Sequence, residues 1–305
     1  MALKILKKPG FRLFLLTIPL LALVFIFSYL PLFGWIYAFF DYKPGIRLAD
    51  TPFVGFKYFI MIFENPIMAL NIVRVVRNTL AMSLLGILAS PLPIIFAIML
   101  NEIRFKPFRK LTQTLSTIPN FISWILVYAI AWSMFSVSDG FVNRLLVSLG
   151  LIDNGINFLA SRNNVWLTML LWQVWKGLGW SAIIYIASIA GIDGELYDAA
   201  RVDGAGRANI IRHVTVPGLL PTFFVLLLLS IANFLNTGME QYFVFQNAMN
   251  KEYIEVLDLY VYNQGIRGGL IPYSTVVSMV KSLISVSLLF IANRGSRLLR
   301  GESIL

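Results

Sequence analysis

Long apolar runs dominate this chain, and their length leaves it few ways to fold. Six stretches approach the roughly 20 apolar residues that a bilayer-spanning helix needs. They cover residues 13–40, 79–100, 118–135, 165–189, 219–235 and 273–292. In lipid the backbone must satisfy its own hydrogen bonds, so a run of this kind folds as a helix. The expected fold is an all-α integral membrane protein with about six transmembrane helices, residues 1–305 forming one transmembrane domain. The first run is longer than a bilayer requires, which places its end near Pro31 at the interface. It reads as an uncleaved span, because bulky Leu30-Pro-Leu-Phe-Gly-Trp35 stands where a signal peptide would carry a small-residue cleavage site. The third run is diluted by Pro119, Asn120, Ser123 and Ser133.

Composition agrees. Residues are 58% hydrophobic and 13% charged, against about 25% charged in a soluble domain. Cysteine is absent, which excludes disulfides and cysteine metal sites, and one histidine, His213, excludes a multi-histidine metal site. A net charge of +10 raises the possibility of nucleic acid. The cations gather instead at the ends of apolar runs, the pattern that sets membrane topology. On one side stand Lys4, Lys7, Lys8 and Arg12, then Arg104, Lys106, Arg109 and Lys110, then Arg201, Arg207 and Arg212, then Arg294, Arg297 and Arg300. The opposite connections hold fewer, spread over longer loops, and Arg74 and Arg77 run against the trend. This bias puts both termini and the 193–217 segment in the cytoplasm. The opposite connections, 137–164 and 238–272, carry aromatics, glycine and paired charges and are expected to form short helices or caps. No internal repeat, low-complexity segment or intervening soluble domain is visible.

The 193–217 segment is the one long polar island. Acids at Asp193, Glu195 and Asp198 suit a helix start, Leu196, Ala199, Ala200 and Val202 supply small and apolar positions, and Gly204 and Gly206 stop the helix. A second short helix is expected over 209–214, ended by Pro217, which admits the next span. By physics alone this is an amphipathic hairpin at the membrane surface.

Its spacing says more. Asp198-Ala199-Ala200, three residues, Gly204, nine residues, then Val214, Val216 and Pro217 resembles the EAA motif of ABC importer permeases, with Asp203 and Ala205 completing the usual Asp-Gly-Ala. Residues 53–59, 77–80, 100–103, 180–193 and 291–294 extend the similarity to the carbohydrate-uptake permeases, in particular those handling oligosaccharides and complex glycans and related to maltose-type permeases. The resemblance implies a type I ABC importer permease fold in a bacterial cytoplasmic membrane. It implies a second related permease as heterodimeric partner, two ATPase subunits that bind ATP and Mg, and an extracytoplasmic solute-binding protein. The island would be the coupling helix seated in an ATPase cleft, carried by Glu195, Asp198, Ala199, Ala200, Asp203, Gly204 and Ala205. Asp198 departs from the pattern, which has glutamate there. Glu195, Arg201 and Arg207 also read as a plain solvated face, where an exposed pair contributes about 0–1 kcal/mol; small-residue packing at Ala199, Ala200 and Gly204 is the stronger source of specificity.

No P-loop is present. Gly204-Ala-Gly206 lacks the following Lys-Ser/Thr, so no nucleotide or other cofactor is expected on this chain, and no nucleophile–base–acid set suggests an enzyme. The pair Gly177 and Gly179 reads as a helix-contact feature. Polar groups inside spans point to function. Gln173, Lys176, Gly177 and Trp180 share one helical face, and Ser230, Asn233, Phe234 and Thr237 repeat the spacing in the next span. Hydrogen-bonding groups beside an aromatic ring suit a sugar, and maltose-type permeases hold substrate on the helices flanking the coupling loop. Helix glue is the competing reading for both faces. Lys176 and Lys281 lie mid-span, where a charge costs about 2.5–3.5 kcal/mol or more; an anionic sugar or an acid of the sister permease would compensate, and structural pairing is preferred for Lys281. Asn78 and Asn120 read as glue or caps. Two alternatives to a sugar permease stand at this point: an ABC permease for another solute, and a secondary carrier, whose paired broken helices are not seen.

Overall fold

The computed structural model describes residues 9–300, so the N-tail cations Lys4, Lys7 and Lys8 lie outside the described residues. Every regular element among them is helical. In chain order these are α1 Pro9–Val24, continued by a π turn at Phe25–Tyr29 and a 3-10 run at Leu30–Phe39, then α2 Lys57–Glu64, α3 Pro66–Ala89, α4 Leu92–Glu102 and α5 Lys106–Thr117. A 3-10 turn at Ile118–Phe121 leads to α6 Trp124–Phe135, α7 Phe141–Ser148, α8 Val165–Ala190 and α9 Gly194–Val202. Then come α10 Arg207–Ile210, a π turn at Ile211–Thr215, α11 Val216–Ala232, α12 Glu240–Phe245, α13 Lys251–Ile254, α14 Leu257–Tyr262 and α15 Ile271–Arg300. Four helical runs are long and apolar enough to cross a membrane, or six if each of two bent pairs counts as one span.

The breaks correct the expected span limits. The second run starts at Pro66, not residue 79, and parts at Ser90-Pro91. Pro91 and Pro93 have no N–H to give to the preceding turn, so α3 ends and α4 restarts with Pro91 as its cap. The third run is no single helix. The segment Lys106–Phe121 and α6 meet at 107°, and the 12 residues of α6 reach only about 18 Å. Pro119 sits in the turn, and Ser123 restarts the helix by accepting the Leu126 amide at 3.4 Å. Pro217, expected to end a helix, does not: Arg207–Ala232 forms one run, and the π turn at Ile211–Thr215 stands directly before the proline.

Two compact units result, one of residues up to Ala69 with Val261–Ser282, the other of Leu70–Tyr260 and the residues from Leu283 on. In the first, an isolated bridge joins Phe40 and Phe53, and the Tyr58 hydroxyl donates to Asp41 at 2.5 Å. Burial, then this bond, pushes the Tyr58 hydroxyl up to about 12, and the same bond holds the Asp41 carboxyl below its ordinary value. The second unit has a core where α4, α8 and α11 meet: Ala97, Ala182, Tyr185, Ile189 and Leu219 are buried, with Phe223 and Leu226 against them. Ser188 and Thr222 hydroxyls pair across α8 and α11 at 2.9 Å.

The connections expected to cap the molecule do hold short helices, α7 and α12 to α14. Their attachment explains the two contrary arginines. Arg74 pairs with the buried carboxylate of Glu255 at 2.6 Å, and Arg77 donates to Asn78 and to the Glu252 carbonyl while lying 5.0 Å from the Tyr253 ring. Asn78, fully buried, donates to the Glu252 and Glu255 carbonyls at 3.0 Å each. These two cations are thus engaged by the fold.

Candidate functional site

Between α3, α8 and α11 the second unit has two open cavities. One, about 550 Å³, is lined by Ser90, Pro93, Gln173, Gly177, Trp180, Ser181, Tyr185, Phe223, Ser230 and Asn233 among others. A smaller one, about 260 Å³, is lined by Ser83, Gln173, Ser230, Asn233, Phe234, Asn236, Thr237 and Tyr242. Gly86, Gln173, Ser230 and Asn233 line both. The two helical faces singled out in the sequence therefore converge on one place.

The local chemistry follows from where the helices stop. α11 ends at Ala232, and Asn233 caps it outside helical geometry, so the face assumed to continue to Thr237 does not. Its N–H bonds to the Leu229 carbonyl at 3.1 Å and its side-chain amide donates to the same carbonyl at 3.0 Å. The chain then turns: Asn236 bonds back to Asn233, the Ser83 hydroxyl donates to the Phe234 carbonyl, and Gly238 sits at φ +73°. Phe234 and Thr237 reach the smaller cavity by this turn, not by helical spacing. Gln173 on α8 projects into both cavities and has no hydrogen-bond partner among the described residues. Trp180 is half-exposed and meets Phe121 edge to face at 5.6 Å.

Lys176 goes elsewhere. Its ammonium donates to the carbonyls of Asn120 at 2.7 Å and Pro119 at 3.3 Å and lies 5.5 Å from the Trp124 ring. It does not line either cavity. Both carbonyls lie in the bend between α5 and α6, where the Pro119 carbonyl also accepts the Ile122 amide at 3.2 Å, so the position reads as a brace of that bend. The two glycines separate as well. A Cβ on Gly179 would stand 2.2 Å from the Ser116 carbonyl oxygen, which makes it a true contact glycine, whereas one on Gly177 would meet nothing within 4 Å. Gly177 widens the cavity. Ser83, Ser90, Ser181, Asn236 and Tyr242 were missed in the sequence; the Pro91 and Pro93 break beside Ser90 and the Asn-rich turn before Gly238 were the available signals.

The first half of the 193–217 segment, through Gly206, has the expected local form. Asp193 caps α9 by accepting the Glu195 amide at 3.0 Å. At the other end Gly204 takes φ +74°, its N–H reaches the Arg201 carbonyl at 3.1 Å, and the Ala205 N–H reaches the Ala200 carbonyl at 2.9 Å. This is a Schellman ending, which needs a left-handed residue at that position; Asp203 is the last residue before it. Asp198 pairs with Arg201 one turn on, at 2.7 Å. Glu195, Leu196, Ala199 and Val202 stay exposed. The loop is tied to the π turn before α11 by the Tyr197 and Thr215 hydroxyls at 3.2 Å, and to α11 by Ile192 over Gly218, where a Cβ would stand 2.6 Å from it.

Among the described residues no cluster of three or more metal-ligating side chains occurs. Comparison with known proteins matches the geometry to sequence. The chain is 39% identical to protein LplB of Bacillus subtilis over 92% of this chain and 87% of that one. It is 37% identical to the polygalacturonan/rhamnogalacturonan transport system permease protein YteP of the same organism, over 96% and 89%. A crystal structure of a bacterial ABC transporter that imports the acidic polysaccharide alginate superposes with a TM-score of 0.86 at 29% identity, covering 98% of this chain and 99% of that chain. A second, with an alginate pentasaccharide-bound periplasmic protein, gives 0.83 at 30% identity over 96% of each. The family model described as the binding-protein-dependent transport system inner membrane component matches residues 89–300. With the all-helical spans, the loop at 193–217 and these relatives in agreement, the chain belongs to that family of ABC importer permeases.

Proposed function

We propose that this permease passes an oligosaccharide, handed over by an extracytoplasmic solute-binding protein, through the two cavities that Gln173, Ser230 and Asn233 share. That shared lining is the observation on which the reading rests. A free amide at Gln173, the hydroxyls of Ser230 and Thr237 and the rings of Trp180 and Phe234 offer what a sugar requires, hydrogen-bonding edges and an apolar face. Gly177 gives the ring room, and Lys176 acts from behind, holding the bend on which α8 rests. The relatives' names, a polygalacturonan/rhamnogalacturonan system and an alginate importer, favour a polymer-derived sugar over other solutes.

Energy comes from partners. Two ATPase subunits bind ATP and Mg, this chain binds neither, and a second related permease completes the pathway. Both described units work as one permease domain in the bacterial cytoplasmic membrane, with both termini and α9 in the cytoplasm. In this reading α9 is the coupling helix. Its exposed Leu196, Ala199 and Val202 pack in the ATPase cleft, with Ala200 and Ala205 beside them. Gly204 and Asp203 set where the helix stops, and Glu195 is the acid left free to bind once Asp198 is taken by Arg201.

The test is uptake by the assembled importer carrying Gln173→Ala with Asn233→Ala. Each lost hydrogen bond weakens binding by about 0.5–1.5 kcal/mol, so apparent affinity for the transported oligosaccharide falls on the order of tenfold. Unchanged affinity and rate would refute the shared site.

A further inference from the structure

Helix α5 carries a charge pattern that neither the cavities nor α9 use. Arg104, Lys106, Arg109 and Lys110 are all exposed, and none has an ion pair among the described residues. No Asp or Glu occurs between Glu102 and Asp139 to neutralise them. At 100° per residue, Lys106, Arg109 and Lys110 share one side of the helix, and Phe108, Leu111 and Leu115 share the opposite side. Those three apolar residues are 53%, 54% and 57% exposed, so the described chain leaves more than half of each uncovered. What packs is the far end, where the Ser116 carbonyl touches Gly179 of α8. An amphipathic helix with an uncovered apolar side and cations opposite is built for the boundary between acyl chains and headgroups. α9 is also short and exposed, but it carries acids, and the contrast points to different partners.

We propose that the segment from Arg104 to Leu115 binds anionic phospholipid headgroups of the cytoplasmic leaflet. Arg104, Lys106, Arg109 and Lys110 meet the phosphates, and Phe108, Leu111 and Leu115 lie among the acyl chains. The choice of leaflet rests on the topology proposed above. The complementarity of charge does not: a run of cations at the end of membrane-spanning helices is attracted to an anionic surface, each adding about fivefold to the preference.

The chain has no cysteine, so a cysteine introduced into it is its single thiol, and this subunit is labelled before assembly with its partners. The assembled importer is placed in nanodiscs of phosphatidylcholine, with and without phosphatidylglycerol. A nitroxide on Leu111→Cys is expected to collide with oxygen, and one on Thr114→Cys, off the apolar stripe, with a water-soluble nickel chelate. Retained phospholipid, read by mass spectrometry, should favour phosphatidylglycerol. Arg109→Gln with Lys110→Gln should cut that preference about 25-fold, about fivefold for each charge removed, while Arg109→Lys with Lys110→Arg should keep it. An unaltered preference in the glutamine pair, or equal depth at both labels, overturns the proposal. So does an unaltered lipid preference with loss of the copurifying ATPase, which would assign the cations to a protein. Lipid retention is read without transport, so its failure leaves the cargo proposal standing.

Discussion

Two short helical segments of the second unit, α13 with its exit to Leu257 and α9, are held in opposite ways. The first is fixed by residues far away in sequence. Asn78 and Trp166 donate to its carbonyls, the Thr79 hydroxyl accepts the Leu257 amide at 2.8 Å, and Arg74 reaches the buried Glu255. The second closes on itself: its cap, its Schellman ending and its Asp198–Arg201 pair all lie within 193–205. A segment whose bonds go inward to the fold leaves little for a partner. One that satisfies its own backbone locally can leave its side chains outward and still keep its shape. The difference separates a segment fixed by the fold from one whose side chains stay outward.

Glu255→Ala presses hardest on this contrast. It strands a partly buried guanidinium, which costs about 3–5 kcal/mol, and thermal unfolding of the purified permease should show a correspondingly large drop in midpoint. Asn78→Ala should cost less, about 1–3 kcal/mol for buried carbonyls left unpaired. If either is neutral, the α13 segment is not held as described. Gly204→Asp sharpens the other side. A left-handed conformation costs an L-residue about 1–2 kcal/mol, so the chain still inserts, but α9 ends wrongly, and uptake and ATPase stimulation are expected to vanish; normal transport would remove the coupling role. The smallest effect belongs to Asp198→Asn. The exposed pair contributes about 0–1 kcal/mol, so unfolding should barely move. A large destabilisation would mean that α9 is less self-sufficient than its local bonds indicate.

Legibility from sequence follows the same division. The cap at Asp193 and the stop at Gly204 are local, so residue type and spacing announce them. Apolar runs are legible by length, but averaging over a run hides its interior: Pro91, Pro93 and Pro119 cut helices that hydropathy alone joins. Thr237 was placed on a helix by carrying a period past Asn233, which ends it. Lys176 shows the harder limit. A cation in an apolar run announces that something compensates it, yet nothing near it in sequence reveals that the compensating groups are two carbonyls more than fifty residues away.

That brace bears on tightness. A sharp bend in a helical path exposes carbonyl oxygens, and in a membrane the usual remedy is water, which makes a bend a wet seam along which protons and ions can creep. Here an ammonium group donates to the Asn120 carbonyl and joins the Ile122 amide at the Pro119 carbonyl, so protein groups meet both oxygens of the bend. A permease that opens a path wide enough for a large solute gains a further property from this: its permanent bend need not be one of its leaks.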